Sequence, residues 1–117
     1  MTTKELLTLI SMNTSLEAFQ KGNKMEYKEF IRHYTNILNA GTVTSKGVEK
    51  YVRKEVQLIA YGNGVSFQKA LDDLIDIYFD QSMRNTPGYL QDQSTTAATN
   101  LFFIKFMDTH SKEDKHD

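Results

Sequence analysis

The chain has no cysteine and a single proline, Pro87. Without cysteine, the chain cannot form a disulfide framework, a thiolate nucleophile or a cysteine-ligated zinc or iron–sulfur site. A long apolar run is also missing, because the best candidate, 101–107, is interrupted by Lys105 and is far shorter than the roughly 18–20 residues of a membrane span. The first residues include Glu5 and lack the apolar core of a signal peptide. These absences predict a soluble cytoplasmic protein that makes no membrane contact.

The composition is that of a folded domain. The 117 residues are 39% hydrophobic and 25% charged, which is close to the globular average. The net charge of −1 is unevenly distributed: residues 1–60 contain nine Lys/Arg and six Asp/Glu, whereas residues 61–117 contain five and nine. The two halves therefore carry +3 and −4. This asymmetry fits either a basic face for an anionic partner or an internal match between the halves.

Apolar residues recur at steps of three and four along most of the chain, which predicts helices. Helix is expected at 4–12 and again from 14 toward 19, as one kinked helix or two short ones. Further helices are expected at 25–40, at 46–60, from Ser66 to the turn that begins at Asn85, and over a last segment that includes 97–107. Ser45 and Ser66 are expected to cap the third and fourth helices, and Pro87 to stop the fourth. Residues 42–44 have strand propensity but are too few to form a strand alone.

We therefore predict an all-α fold, a compact bundle of four to five helices with a short disordered C-terminal tail. The helical domain spans 1–109. The tail, 110–117, is charged and contains no apolar residue, so we expect it to be disordered.

The string YGNGV at 61–65 resembles the receptor-binding box of pediocin-like antimicrobial peptides. In that family the box lies near the start of a short cationic peptide, and a cysteine two positions after the valine helps to close a disulfide. Here Phe67 occupies that position. We interpret the string as a turn in which Gly62 and Gly64 supply positive φ angles, which Asn63 also tolerates.

The same stretch is similar to the helix-turn-helix of DNA-binding proteins and to the second half of ribbon–helix–helix repressors. The resemblance covers about 35 residues and depends on the order helix, glycine turn and serine-initiated helix. The second helix carries four aspartates, which phosphates would repel: Asp72, Asp73, Asp76 and Asp80.

Two charged stripes follow helical spacing on the third and fourth helices. The basic stripe is a candidate contact for nucleic-acid phosphates and consists of Lys46, Lys50, Arg53 and Lys54, with Gln57 beside them. The acidic stripe consists of Asp72, Asp76 and Asp80. The two stripes can flank one seam between antiparallel helices, pair with each other across a homodimer, or face a partner. The alternative for the basic stripe is a solvated helix face.

The C-terminal segment LFFIKFM has more apolar side chains than one helix face can bury. We predict a helix here and a partner interface at Leu101, Phe102, Phe103, Phe106 and Met107. The alternatives are a central helix enclosed by the other helices, and a strand, for which the rest of the chain hardly offers a partner.

No catalytic or metal-binding motif is present. The three histidines lack the spacing that places two imidazoles on one helix face, and His33 is expected at the boundary of its helix face. We therefore expect no enzyme activity, no cofactor, no metal and no small-molecule substrate.

The sequence predicts a small interaction or regulatory protein that binds another protein, or a second copy of itself as a homo-oligomer, through a helix face. The first alternative is a dimeric nucleic-acid-binding regulator that uses the basic stripe. The second is a bacteriocin-immunity-type bundle, an analogy at the level of fold.

Overall fold

The computed structural model describes residues 24–45, 47–83 and 88–114. Within these residues the chain forms a bundle of four helices without strands, which confirms the predicted all-α fold. The helices are α1 (Tyr27–Leu38), α2 (Val48–Asn63), α3 (Phe67–Met83) and α4 (Gly88–Asp114). The helical segment predicted before Gly22 lies outside the described residues.

The helices enclose one apolar core. Each helix turns its periodic apolar side inward, and residues such as Ile37, Val56, Leu74 and Leu101 are almost fully buried. α3 and α4 make the most extensive contact, while α1 packs against both α2 and α4. The burial of this apolar surface, which follows from the three-and-four spacing, stabilises the bundle.

Two tyrosines join α1 to α3 in the core. The rings of Tyr34 and Tyr78 stack with their centroids 4.5 Å apart. The Tyr78 hydroxyl donates a hydrogen bond of 2.7 Å to the Tyr34 carbonyl oxygen. Burial raises the pKa of Tyr78 well above its ordinary value. The phenol therefore stays protonated and remains a hydrogen-bond donor.

The connection between α1 and α2 differs from the prediction. Ser45 does not cap α2; the N-cap residue is Gly47, whose φ of 94° is left-handed, and the helix begins at Val48. The side chain of Asn100, on α4, fixes this connection instead. Its amide oxygen accepts a 2.8 Å hydrogen bond from the Val43 N–H, and its amide nitrogen donates one of 2.5 Å to the Gly41 carbonyl.

The turn predicted from YGNGV is confirmed. Gly64 has a left-handed φ of 68°. Its N–H donates to the carbonyl of Tyr61, and the N–H of Val65 donates to that of Ala60, the pattern of a Schellman motif. Ser66 then caps α3, since its hydroxyl accepts a hydrogen bond of 3.1 Å from the Lys69 N–H.

The role predicted for Gly62 was wrong. In the described residues only Gly41, Gly47 and Gly64 have positive φ, so Gly62 and Asn63 do not. A Cβ at Gly62 would collide with the end of the Met25 side chain. Asn63 is buried, and its side-chain oxygen accepts a 2.9 Å hydrogen bond from the Met25 N–H. This pair of contacts ties the start of the described chain to the end of α2.

The C-terminal apolar segment is helical, as predicted, and belongs to one long helix. α4 is a single helix of 27 residues that contains both the small polar stretch at 92–99 and the apolar stretch that follows. It extends to Asp114, beyond the domain boundary predicted at 109. Residues 115–117 of the predicted tail lie outside the described residues.

Candidate functional site

The apolar residues of the C-terminal segment divide between two sides of α4. Leu101 and Ile104 are fully buried in the core. By contrast, Phe102, Phe103 and Phe106 are 61%, 45% and 54% exposed. Placing Leu101 in the interface was therefore wrong, because its side chain holds α4 to the bundle. The segment supplies both a core side and an exposed aromatic side.

Met107 lies between these two sides. It is partly buried and packs against the core cluster. Its thioether therefore contributes to the edge of the core, so that three of the five predicted interface residues, all phenylalanines, remain at the exposed surface.

A groove between α3 and α4 adjoins the exposed aromatic side. We call it the α3–α4 groove; its volume is about 240 Å³, and it is lined by Ile75, Phe79, Ser82, Thr95, Ala98, Thr99 and Phe102. Phe79 is also exposed, at 57%. Two phenylalanine rings, one from each helix, thus form part of the lining of an open groove.

The hydroxyl groups that line the groove do not make it polar. Thr95 donates its hydroxyl hydrogen to the Gln91 carbonyl and Thr99 to the Thr95 carbonyl. Ser82 does the same with the Phe79 carbonyl. Because these hydroxyls already bond to their own helix, the groove offers mainly an apolar surface.

Side-chain contacts join α3 and α4 toward each end of the groove. Lys105 lies 2.8 Å from Asp72 in an ion pair, and Gln91 donates a 2.9 Å hydrogen bond to the Ser82 carbonyl. Between Ile75 and Ser82, the first and last α3 residues that line the groove, the backbone rises about 10 Å at 1.5 Å per residue. The groove therefore has the length of about two helical turns.

One described residue of each charged stripe contacts α4. Arg53 of the basic stripe pairs with Asp108 at 2.8 Å, and Asp72 of the acidic stripe pairs with Lys105. Asp76 is exposed and follows the groove residue Ile75 by one position.

Arg53 is not a free phosphate contact. Its guanidinium donates two hydrogen bonds to Asp108, of 2.8 and 3.2 Å, and lies 3.5 Å from Glu49. The hydrogen bonding to Asp108 is the main cause that raises the Arg53 pKa above its ordinary value. Lys46 lies outside the described residues, whereas Lys50 and Lys54 are exposed.

A buried polar pair joins α1 to α2. His33 Nδ1 lies 2.5 Å from a carboxylate oxygen of Glu55, and both residues are buried. The prediction for His33 was wrong, because its side chain points into the interface between the two helices. The signal was available in the helical spacing. His33 lies three residues after Phe30 and four before Ile37, and Glu55 has the same spacing to Val52 and Ile59, which are all core residues.

The His33–Glu55 pair has the components of an acid–base dyad but lacks access for a substrate. Neither side chain is more than a tenth exposed. Neither residue lines the α3–α4 groove. We assign the pair a structural role, in which each group satisfies the hydrogen-bonding requirement of the other.

No group of three or more potential metal ligands occurs among the described residues. None of the four described helices is both long and apolar enough to cross a membrane. No family model, curated protein or solved structure matches the chain. The α3–α4 groove, with the aromatic side chains beside it, is therefore the candidate functional site on geometric grounds.

Proposed function

We propose that this chain is a small non-catalytic interaction protein, acting in the cytoplasm, that binds a helix of another protein chain in the α3–α4 groove. The observation that carries the proposal is the exposure of Phe79 and Phe102 on opposite helices of one apolar groove. Aromatic side chains that occupy such positions are typical of the centres of protein interfaces. The length of the groove suits about two turns of a bound helix.

The energetics favour a partner that fills the whole groove. Covering the exposed part of each phenylalanine ring contributes roughly 2–3 kcal/mol at 25 cal/mol per Å². Association itself costs about 4–15 kcal/mol in lost freedom of motion. Two rings alone are therefore insufficient, and the partner must also contact Ile75 and the other residues that line the groove.

The nucleic-acid alternative has less support. Two of its four predicted contacts, Lys50 and Lys54, are exposed, while Arg53 is engaged by Asp108. The acidic side chain of Asp76 beside the groove would repel phosphates. The bacteriocin-immunity-type alternative is supported only by the helical architecture, which many unrelated functions share.

The test is affinity capture from lysate, with and without nuclease treatment, with retained proteins identified by mass spectrometry. We expect Phe79→Ser combined with Phe102→Ser to reduce the recovery of a specific protein about tenfold or more. The matched control is Phe103→Ser, which makes the same chemical change on α4 at a side chain outside the groove. Circular dichroism checks that each variant is folded.

Recovery that is unchanged in the groove variant would contradict the proposal. If the bound material is lost after nuclease treatment, and also in the variant Lys50→Glu with Lys54→Glu, binding occurs at the basic stripe and the partner is a nucleic acid.

A further inference from the structure

A second exposed surface lies on α2, on the side opposite the core. Tyr51, Leu58 and Tyr61 are 42%, 40% and 87% exposed. With Lys54 they follow steps of three, four and three residues, so they form one line along the helix. We call this line, together with Lys50, the α2 outer face.

The α2 outer face has the shape that the α3–α4 groove requires. From Tyr51 to Leu58 the helix rises about 10 Å, equal to the rise of α3 between the groove residues Ile75 and Ser82. Large side chains at steps of three and four are the pattern by which a helix inserts into a groove between two others. A helix with this face can place Tyr51 and Leu58 along the groove, with Tyr61 at its end.

The charges of the two surfaces are opposite. Lys50 and Lys54 on α2 are exposed and make no ion pair with any described residue. Asp76 on α3 and Asp92 on α4 are likewise exposed, and no ion pair to either occurs within the described part of the chain. The helices that form the groove thus carry exposed carboxylates, whereas the α2 outer face carries exposed ammonium groups. Such complementarity favours association and determines orientation.

The two surfaces of one molecule cannot meet each other. α2 packs against α1 and α3 through Val52, Val56 and Ile59, so its outer face points away from the bundle. The groove opens to solvent between α3 and α4. Contact between them therefore requires two molecules.

We infer that the α2 outer face of one copy docks in the α3–α4 groove of a second copy. This inference rests on the proposed function and names a second copy of the chain as the partner. In a docked pair, the copy that inserts its α2 outer face keeps its own groove free, and the other copy keeps its α2 outer face free. The contact is therefore head-to-tail. Such an interface builds rings or open chains, whose size grows with concentration.

The test is sedimentation velocity of the full chain, from micromolar to about 1 mM, a range that detects even weak association. We expect the average mass to rise with concentration. Two charge reversals, Lys50→Glu with Lys54→Glu and Asp76→Lys with Asp92→Lys, should each weaken association about tenfold or more, because each places like charges across the interface. Lys28→Glu is the control, since it alters an exposed charge on α1 outside both surfaces.

Mixing provides the decisive experiment. An equimolar mixture of the two reversed variants regains opposite charges across the contact, so association should return. Wild-type chain that stays monomeric up to 1 mM would overturn the inference, as would association that neither reversal weakens. If the chain is monomeric but still captures a different protein through Phe79 and Phe102, the proposed function holds and that protein is the occupant of the groove.

Discussion

The inner and outer sides of α4 both carry apolar residues, but the two sides differ in burial. Leu101 and Ile104 are buried in the core, while their neighbours Phe102 and Phe106 are exposed to solvent. The difference comes from what lies opposite each side: α1, α2 and α3 cover the inner side, and no described element covers the outer one. Apolar character alone therefore does not determine whether a residue stabilises the fold or remains available for binding.

The largest expected effect is a loss of folding stability that differs between the inner and the outer side of α4. Leu101→Ala should reduce the free energy of unfolding by about 3 kcal/mol, because it leaves a cavity in a close-packed core. Phe102→Ala should reduce it by less than about 1 kcal/mol, because most of the ring is already in water. Urea unfolding of the two variants measures both values. Equal losses would show that the outer side is covered in solution.

The second prediction extends the comparison to acidic residues of α2. Glu55→Ala should cost about 2 kcal/mol, because it leaves His33 buried without its partner. Glu49→Ala is the matched control: this residue forms only a partly exposed pair with Arg53, at 3.5 Å, so it should cost about 0.5 kcal/mol or less. A double-mutant cycle with His33→Ala isolates the pair. The assignment fails if the coupling energy is zero.

The smallest effect concerns the loop that α4 holds in place. Asn100→Ala removes two hydrogen bonds to the α1–α2 connection and should cost about 1 kcal/mol, because Gly41 is exposed and Val43 half-buried, so that water can bond to the loop groups instead. Hydrogen exchange at the Val43 amide should become faster. Gln93→Ala is the control, since Gln93 makes a single exposed bond, to Asn39, and its loss should leave that exchange rate unchanged. An unchanged rate in both variants would contradict the role of Asn100.

Much of the fold was predictable because helices depend on local spacing. The steps of three and four residues located α1, α2 and α3, and the glycine and serine around Val65 located the turn between α2 and α3. The position of Gly47 at the start of α2 was missed, since serine is the commoner N-cap and Ser45 stood nearby.

The candidate site was only half predictable. The surplus of apolar residues in LFFIKFM indicated an exposed patch, and the three phenylalanines lie there. The contribution of Phe79 and Ile75 could not be predicted, because it depends on how α3 lies against α4. Neither could the pairing of Arg53 with Asp108, which are far apart in the sequence.

The sequence by itself determined the helical class, the turn between α2 and α3 and the asymmetry of charge, because periodicity, glycine and serine act over a few residues. The stop predicted at Pro87 lies outside the described residues. Only the tertiary structure decided which apolar side chains form the core, which charges remain unpaired and which two helices form a groove. These properties depend on packing between distant segments: a side chain becomes buried only where another helix covers it, and α4 is covered on one side.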